Sequence, residues 1–451
     1  MSEDTTLDKF VGSDESEEGP KPELINGVAW STIETLPDEW VVNNVESDIN
    51  ILSGNNFSSE YFVEEGGIPL IRIRDLAEDD TTVNFDGDYD SRYLINQQDL
   101  LVGMDGEFEP HLWAGPQALL NQRVCKIEPE SRYNKIFFRY AIEKPLFYIQ
   151  KSIAGTTVKH LSQSNINDLN LPTPPRPEQR KIATVLHTVD RAIEKTEAII
   201  NQISTVKEGV KDDLLTGGLG DAETTETRLG PVSTEIPTHW DTKRIGDLFT
   251  DRQLGTTERG STEDGGNIDL IKMGNLDFGT WDLSEVEKIE KTPELLKEAG
   301  LQRGDLLFNT RNTPELVGKT AVWEFDHEVV YDNNLLRLRF GERISSGHFV
   351  NSYLSSNIGR RQLRGRVHGT TSVAAIYWSD LQQVEIPVPP KNEQRKIVDA
   401  LKELDRTRKH NESYRNRLQR LKSGLMQDLL SGTVRTTDTN IEVPDEIAQH
   451  G

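Results

Sequence analysis

The stretch PPRPEQRKI at Pro174–Ile182 recurs in the same chain as PPKNEQRKI at Pro389–Ile397. In each copy, prolines stop the preceding structure, and a run without further proline then continues to a DLLTG or DLLSG ending. Apolar residues recur through both runs at heptad spacing, which is typical of a long helix that packs against another helix. Glu178–Gly217 aligns on Glu393–Gly432 without a gap. The repeat therefore predicts two equivalent long helices that pair with each other.

The sequence upstream of each helix also repeats, but more weakly. IPLIRIRDL at Ile68–Leu76 resembles IDLIKMGNL at Ile268–Leu276, and a GTT triplet precedes each helix. Alternating runs such as LLRLRF indicate half-buried strands, whereas other runs in these bodies favour amphipathic helices. The predicted fold class is mixed α/β, with two homologous α/β domains separated by two long antiparallel helices. A tandem duplication with pseudo-two-fold symmetry explains this order.

The repeat also sets the expected boundaries. Each α/β domain should be followed by its own spacer helix, and polar, acidic ends should be disordered. The predicted segments are a disordered tail at 1–25, a first domain at 26–175, a first helix at 176–217, a linker at 218–233, a second domain at 234–388, a second helix at 389–432 and a disordered tail at 433–451.

The composition is strongly acidic, with 51 Lys and Arg against 75 Asp and Glu and a net charge of −24. Such a charge normally disfavours nucleic acid, because neutralising phosphates supplies most non-specific affinity. Alternatively, the charge is an adaptation to a salt-rich cytoplasm, where self-repulsion is screened. The single cysteine excludes a disulfide framework and a Cys-rich zinc site. No apolar run is long enough to cross a membrane and no signal pattern is present, so a cytoplasmic protein without a membrane partner is predicted.

The sequence carries no familiar catalytic motif. A P-loop, HExxH, GxSxG and a Rossmann fingerprint are all absent, as is the Asn/Asp-Pro-Pro-aromatic motif of amino-methyltransferases. The nine histidines form no ligand cluster in the sequence. We therefore expect a non-catalytic chain that binds no cofactor or metal of its own.

Two diverged domains, each ending in PxPPxxEQRKI and a long helix that closes on VKEGVKDDLLTG or LKSGLMQDLLSG, resemble the specificity subunit of type I restriction–modification systems. The DLLVGMDGEF stretch that begins at Asp99 is similar to a common form of that family's target-recognition domain. With its acidic charge, the chain resembles a member from a halophilic prokaryote. The resemblance implies binding to double-stranded DNA at a bipartite, asymmetric site, with one half read by each domain and the helices as a coiled-coil spacer.

The resemblance also implies the partners. Two modification subunits would methylate adenine with S-adenosylmethionine, and restriction subunits would cut DNA with ATP-driven translocation and Mg²⁺. These cofactors would belong to the partner subunits. The alternative function is a protein-assembly adaptor that does not bind DNA.

Candidate DNA contacts lie on loops and in locally basic segments. Arg and Asn read guanine and adenine by bidentate hydrogen bonds, Asp accepts from cytosine, and small residues and cations approach phosphates. For each set, a solvated turn or a surface ion pair is the alternative. The candidates are Asn309, Arg311 and Asn312; Met104, Asp105 and Gly106; Thr156, Thr157, Lys159, His160, Thr370 and Thr371 around the GTT triplets; Arg72, Arg74, Lys272 and Asn275; and Arg360, Arg361, Arg364 and Arg366.

Candidate protein contacts lie at the start of each helix. The helix dipole explains a glutamate in the first turn, but it disfavours the Arg and Lys that follow, so a partner is predicted for these segments. The predicted contacts are Gln179, Arg180, Lys181, Gln394, Arg395 and Lys396. Thr196 and Asn411 are polar members of apolar core series, and we expect them to meet and fix the helix register, unless either faces solvent.

Overall fold

The computed structural model describes residues 36–153, 159–260, 266–370 and 373–449. The chain forms two compact units. Unit 1 combines the chain up to Lys195 with the chain from Arg415 onwards, and unit 2 runs from Thr196 to Tyr414. Each unit contains one α/β domain, the first half of the helix that follows this domain, and the second half of the other long helix.

Unit 1 is built on a four-stranded sheet of order β2-β10-β7-β8 and a five-stranded sheet of order β3-β5-β4-β9-β6. A separate pair joins β1 to β11, so the first strand of the domain lies beside the strand that leads into the long helix. The strands are β1 (Val41–Asn44), β2 (Ile49–Ser53), β3 (Phe62–Val63), β4 (Ile68–Ile71), β5 (Asn84–Phe85), β6 (Leu94–Ile95), β7 (Leu100–Gly103), β8 (Pro110–Leu112), β9 (Ala118–Leu120), β10 (Val124–Pro129) and β11 (Asn170–Thr173).

The helices of this part of the chain are α1 (Lys135–Ser152), α2 (Gln163–Asn167) and α3 (Arg176–Thr216). Asn134 caps α1 by accepting a hydrogen bond from the backbone of Phe137. The buried face of α1 includes Phe137, Phe138 and Ile142, and it packs into one core with apolar residues of the four-stranded sheet. This burial holds the domain against the start of α3, because Ile182 belongs to the same core.

Unit 2 repeats the topology. Its four-stranded sheet has the order β15-β22-β18-β20, β14 pairs with β25 as β1 does with β11, and β16 runs parallel to β21 as β4 does to β9. The strands are β12 (Thr224–Leu229), β13 (Val232–Pro237), β14 (Asp241–Arg244), β15 (Phe249–Leu254), β16 (Ile268–Ile271), β17 (Glu287–Ile289), β18 (Leu306–Asn309), β19 (Arg311–Asn312), β20 (Thr320–Val322), β21 (Val329–Tyr331), β22 (Leu335–Phe340), β23 (His368–Gly369), β24 (Ala374–Ala375) and β25 (Glu385–Val388).

The remaining helices are α4 (Pro293–Ala299), α5 (Gly347–Leu354), α6 (Asn357–Arg364), α7 (Trp378–Leu381), α8 (Lys391–Leu430) and α9 (Asp445–Ala448). The long helices α3 and α8 lie where the repeated sequence predicts them. The predicted mixed α/β fold with two homologous domains is therefore confirmed. Among the helices of the described segments, none is both long and apolar enough to cross a membrane.

A charged cluster fixes α3 against α8 inside unit 1. Asp190 of α3 accepts hydrogen bonds from Arg139 at 2.8 Å and Tyr140 at 2.7 Å, both on α1, and its other oxygen lies 2.9 Å from the ammonium of Lys422 on α8. Burial alone would raise the pKa of Asp190, but the nearby cations and hydrogen bonds outweigh burial and lower it. The carboxylate therefore stays charged and joins three helices.

Two predicted boundaries are wrong. The expected linker at 218–233 contains β12 and the start of β13, which form an antiparallel hairpin whose Leu229 is fully buried. The expected disordered tail at 433–451 is ordered over 433–449, where Ile447 is only 1% exposed and its carbonyl accepts a hydrogen bond from the side chain of Asn134. Apolar anchors override the polar composition of both segments. The predicted tail at 1–25 lies outside the described residues.

Candidate nucleic-acid interface

Gln179, in the first turn of α3, is buried and uses its whole amide inside the domain. Its nitrogen donates to the carbonyls of Arg132 at 3.1 Å and Pro174 at 2.9 Å, and its oxygen accepts from the backbone of Asn134 at 2.8 Å. The side chain is 1% exposed. These bonds tie the start of α3 to the loop that precedes α1.

Gln394 makes the matching bonds in unit 2. Its nitrogen donates to the carbonyls of Arg343 at 2.9 Å and Pro389 at 2.8 Å, and its oxygen accepts from the backbone of Ser345 at 2.8 Å. The prediction that Gln179 and Gln394 contact a partner is therefore corrected. A buried amide with both its donors and its acceptor engaged holds the domain on its helix and offers nothing to another chain.

Glu178 anchors the end of the chain to the start of α3. It is 2% exposed and accepts hydrogen bonds from the indole of Trp40 at 3.0 Å and from the guanidinium of Arg435 at 2.8 and 2.9 Å. The backbone of Thr436 donates a further bond at 3.2 Å. We call residues 433–449 the C-terminal latch, because they close over this carboxylate.

The pKa of Glu178 predicts how the latch responds to acid. Burial alone would raise this pKa, but the bonds from Arg435, Trp40 and Thr436 outweigh burial and lower it. The carboxylate therefore stabilises the fold fully above its unfolded pKa of about 4.3, and this stabilisation is lost as pH falls through the lower folded value. Thermal unfolding at stepped pH should show wild type losing stability in this acidic window. The Glu178→Gln variant should be less stable at neutral pH and less dependent on pH, and parallel curves for the two proteins would contradict the assignment.

The latch also covers the first EQRK segment. The ammonium of Lys181 donates to the carbonyls of Thr436, Thr437 and Thr439 at 3.1, 2.8 and 2.8 Å, and Arg180 is half-buried. The predicted role of Lys181 as a partner contact is therefore corrected, since its three donors bind this chain itself. Whether Arg180 contacts a partner stays a prediction.

The second EQRK segment differs from the first. Glu393 accepts hydrogen bonds from the indole of Trp240 and the imidazole of His239, both at 3.1 Å, and so takes the place that Glu178 has in unit 1. Arg395 and Lys396 are exposed, and within the described part of the chain neither has an ion pair. They stay the predicted partner contacts.

Two predicted loops of unit 1 lie side by side. Asp105 forms an isolated bridge with His160, and its carboxylate contacts the imidazole of His160 at 2.7 Å and the guanidinium of Arg123 at 2.8 Å. Gly106, at φ +78°, donates its backbone N–H to the carbonyl of Lys159 at 3.0 Å. The groups that reach solvent are His160 and Arg123, with side chains 58% and 56% exposed. The residues Asp105, Gly106, Lys159 and His160 therefore form one surface.

This cluster changes the expected roles. The Asp105 carboxylate already accepts from two side chains and is 17% exposed, so it orients Arg123 and His160 and has little capacity left to accept from a cytosine. Arg123 could not be predicted from the sequence, because nothing in ALLNQRV distinguishes a turn arginine that reaches the surface. Met104 is 6% exposed and belongs to the core, so its predicted DNA contact is corrected. Thr156, Thr157 and Thr371 lie outside the described residues.

The equivalent surface of unit 2 is a three-stranded ribbon of order β19-β24-β23. Arg311 pairs with Ala375 across it and exposes its side chain, whereas Asn312 is half-buried and accepts from the next backbone N–H at 2.9 Å. Thr370 is exposed directly after β23, and its backbone donates to the carbonyl of Val373 at 2.9 Å. The structure therefore brings the predicted Arg311 and Thr370 segments together.

Asn309 is fully buried at the end of β18, and its side-chain oxygen accepts from the backbone of Arg311 at 3.1 Å. Its predicted DNA contact is corrected, because it shapes the turn that presents Arg311. Three further residues on or next to the ribbon are exposed: His368 on β23, with its side chain 57% exposed, Val373 just before β24 at 62% and Tyr377 just after β24 at 54%. The sequence does not distinguish these residues, since only the pairing of β24 with β19 and β23 brings their segments and that of Arg311 into one ribbon.

The third predicted set is largely held by its own domain. The guanidinium of Arg72 contacts Asp75 at 3.4 Å and also donates to Thr82, and the ammonium of Lys272 pairs with Glu287. These are the ion-pair alternatives that the sequence left open. Both cations keep partial exposure, so their contact with phosphate stays a prediction.

Asn275 is 7% exposed and donates to the carbonyls of Asp282 at 3.0 Å and Glu285 at 2.8 Å. Its predicted DNA contact is corrected, because the amide closes a loop within the domain. Arg74 is exposed, and within the described segments it has no ion pair. It stays a candidate phosphate contact.

The basic run around α6 divides into two pairs. Arg360 packs over the ring of Phe278 at 4.2 Å, and Arg366 donates to two backbone carbonyls. Arg361 and Arg364 are exposed in the last turn of α6, and the described residues supply no carboxylate partner for either. These two are the better placed candidates for phosphate contacts in unit 2.

Replacing both exposed arginines, in the variant Arg361→Ala/Arg364→Ala, should weaken binding about equally on all DNA sequences. Each lost phosphate contact reduces the slope of log affinity against log salt concentration by about 0.9. The slope of the double variant should therefore be smaller than that of wild type by about 1.8. Binding titrations at several salt concentrations measure this slope. Arg303→Ala is the matched control, since Arg303 is exposed and already paired with Asp326. A slope change equal to that of the control would contradict the assignment.

The helix register bears on the predicted pair of polar residues. Within unit 2 the ammonium of Lys207 lies 2.5 Å from the carboxylate of Asp405. In an antiparallel pair, the same number of residues counted from Asp405 forward to Asn411 and from Lys207 backward leads to Asn201. The register therefore favours Asn201 as the residue opposite Asn411. Asn411 donates to a carbonyl of its own helix and is half-buried, whereas Thr196 is 4% exposed. The meeting of Thr196 and Asn411 stays a prediction.

Among the described residues, no group of three or more His, Cys, Asp or Glu could hold a metal ion.

Comparisons with known proteins agree with this architecture. The family model described as Type I restriction modification DNA specificity domain matches twice, at residues 37–205 and 237–420. The type I restriction enzyme EcoBI specificity subunit of Escherichia coli is 32% identical over 386 residues, which cover 82% of this chain and 80% of the relative. The MjaVIII specificity subunit of Methanocaldococcus jannaschii is 22% identical over 416 residues, covering 90% of this chain and 95% of the relative.

A solved structure shares the fold. The crystal structure of the S subunit of a type I restriction–modification system from M. genitalium superposes with a TM-score of 0.54 at 14% identity, covering 88% of this chain and 97% of that chain. At this identity the likeness concerns the fold alone. The two family matches and the Escherichia coli relative carry the assignment: the chain belongs to the family of type I restriction–modification DNA specificity subunits.

Proposed function

We propose that the chain is the DNA-recognition subunit of a type I restriction–modification complex in the cytoplasm, where it binds a bipartite, asymmetric double-stranded site. The observation that carries this proposal is that the two units share one topology but expose different side chains at the equivalent surface. Unit 1 presents Arg123 and His160, both of which contact the carboxylate of Asp105, and unit 2 presents Arg311 on the ribbon of β19, β24 and β23. Two readers of the same shape with different chemistry suit a target whose halves differ in sequence.

Catalysis belongs to the partners in this proposal. Two modification subunits methylate adenine with S-adenosylmethionine, and restriction subunits supply cleavage with ATP and Mg²⁺, while this chain selects the site. The exposed Arg395 and Lys396 support a protein contact at the start of α8. The net charge of −24 supports a large contribution from base contacts, because phosphate attraction alone would be weak for so acidic a chain.

Selection from random-sequence duplexes tests the proposal. The purified chain, alone and with its modification subunit, should enrich duplexes that contain two fixed elements separated by unconstrained bases. A control selection with Arg311→Ala should keep one element and lose definition in the other. Absence of any enriched sequence, in the presence of the modification subunit and at several salt concentrations, would favour the protein-assembly adaptor instead.

A further inference from the structure

Unit 2 contains a groove of about 540 Å³ between α5, α8 and the segment that follows β20. Trp281, Phe325 and Leu401 contribute its apolar walls. The ring of Trp323 lies 5.3 Å from Trp281 and 4.8 Å from Phe325, so the aromatic wall is held in place from behind. Phe325 is nevertheless 39% exposed. An apolar concavity that is already formed, with an exposed aromatic ring, is suited to receive an apolar side chain.

Asn351 of α5 supplies a polar group in the same groove. The residue is 7% exposed, and its side-chain oxygen Oδ1 accepts no hydrogen bond within the described residues. Buried carbonyl acceptors are normally satisfied, because an unpaired one has lost water without a replacement. A bound group with an N–H donor would satisfy it.

The α8 side of the groove is basic. Lys402, Arg406, Arg408 and Lys409 line it, against the carboxylates of Glu324 and Asp405. Both carboxylates are already paired, Glu324 with Lys402 at 2.8 Å and His348 at 3.0 Å, and Asp405 with Lys207 at 2.5 Å.

The cations nearest to solvent are therefore the ones left to attract a ligand. The Arg406 side chain is 73% exposed, and its one ion-pair partner among the described residues is the exposed Glu403, whose screened attraction is weak. Lys409 is also exposed. The groove thus presents positive charge in a chain whose net charge is −24.

Unit 1 has a groove of about 420 Å³ between α1 and the end of α8, and its charge is opposite. Glu107, Glu109 and Glu143 line it with Lys144, and the ring of Phe147 is 48% exposed. Both grooves therefore have exposed aromatic walls, but only the groove of unit 2 attracts an anion. The same partner segment does not suit both.

We propose that the groove of unit 2 binds an acidic peptide segment of the modification subunit, with an apolar side chain against Trp281 and Phe325 and carboxylates facing Arg406 and Lys409. A backbone or side-chain N–H of the segment donates to Asn351. This proposal rests on the proposed function, which supplies the partner. Duplex DNA fits less well, because proteins read it with elements that enter its grooves, whereas this site is a concavity with apolar walls.

The experiment uses the full chain and two fluorescent probes, a short peptide of glutamates around one tryptophan and its counterpart with lysines. Fluorescence polarisation should show binding of the glutamate peptide only. The Arg406→Glu/Lys409→Glu variant should bind the glutamate peptide about tenfold more weakly. Its affinity for the purified modification subunit should also fall. The control variant, Glu107→Gln/Glu109→Gln in the groove of unit 1, should leave the affinity for the glutamate peptide unchanged. The Asn351→Leu variant should have a lower affinity for the glutamate peptide, without a lower thermal unfolding temperature.

Three outcomes would overturn the proposal. These are equal binding of the two peptides, unchanged affinity of the glutamate peptide for Arg406→Glu/Lys409→Glu, and displacement of the peptide by inorganic sulfate at the peptide's own concentration, which would indicate a simple anion site. Specific DNA binding by the same variants is measured in parallel. If the groove variants keep sequence-specific DNA binding and also keep their full affinity for the modification subunit, the groove proposal fails and the proposed function stands. If the wild-type chain with its modification subunit selects no DNA sequence, the proposed function fails.

Discussion

Replacing Arg311 by alanine should abolish discrimination at one position of one half-site while the other half-site stays readable. Arg311 is exposed on β19, the buried Asn309 accepts a hydrogen bond from its backbone, and Thr370 is exposed after β23 of the same ribbon. A bidentate arginine contact to guanine supplies about 1–3 kcal/mol of discrimination, or roughly 5- to 150-fold in relative affinity. Competition between duplexes with single base changes measures this loss position by position.

The pattern of loss separates two roles for Arg311. A base contact predicts that affinity for the correct duplex falls while affinity for the substituted duplex is unchanged, so the two converge. A phosphate contact predicts an equal fall on every duplex and a shallower salt dependence. Arg303→Ala, which removes an exposed arginine paired with Asp326, is the control and should change neither. Equal weakening on all duplexes would contradict base reading by Arg311.

Replacing Arg435 by alanine should destabilise unit 1 by about 3 kcal/mol, because it leaves the buried carboxylate of Glu178 without its charge partner. Chemical denaturation monitored by circular dichroism measures this change in the free energy of unfolding. Arg191→Ala is the matched control, since Arg191 is half-exposed and lies 4.0 Å from Glu446 of the same latch. The control should change stability by less than about 0.5 kcal/mol.

A double-mutant cycle distinguishes the ion pair from lost packing. Glu178→Gln/Arg435→Ala removes both charges, so its destabilisation should be smaller than the sum of the destabilisations of Glu178→Gln and Arg435→Ala. Additive effects would show that Glu178 and Arg435 are not coupled and would contradict the latch as a charge-dependent closure. Because Lys181 donates to the same latch, release of the latch should also free this ammonium.

The sequence predicted the long helices because their signal is repeated and local. A proline stop, an EQRKI start and a DLL ending bracket α3 and α8, and heptad spacing fills the interval. The missed hairpin had a signal too. Alternating TTETRL and VSTEIP flank Gly230-Pro231, a two-residue turn in which Gly230 takes φ +60°.

The roles of individual polar residues were less predictable, because they depend on distant parts of the chain. Gln179 looks like an exposed first-turn residue until the loop before α1 takes up its amide. The latch is acidic and polar, and contacts with distant residues order it, among them the burial of Ile447, the bidentate bond of Arg435 and the bonds from Lys181. The exposure of Arg123 and Arg311 likewise follows from strand pairing. Local sequence predicts which residues could bind DNA, and tertiary contacts decide which are free to do so.

The most direct test of the central claim is a genome-wide map of methylated adenine in the host, with and without this gene. We expect the loss of one gapped motif whose two parts differ in sequence, while all other methylation stays the same. A strain that expresses this gene together with its modification subunit and yet shows an unchanged map would contradict the assignment of DNA recognition to this chain.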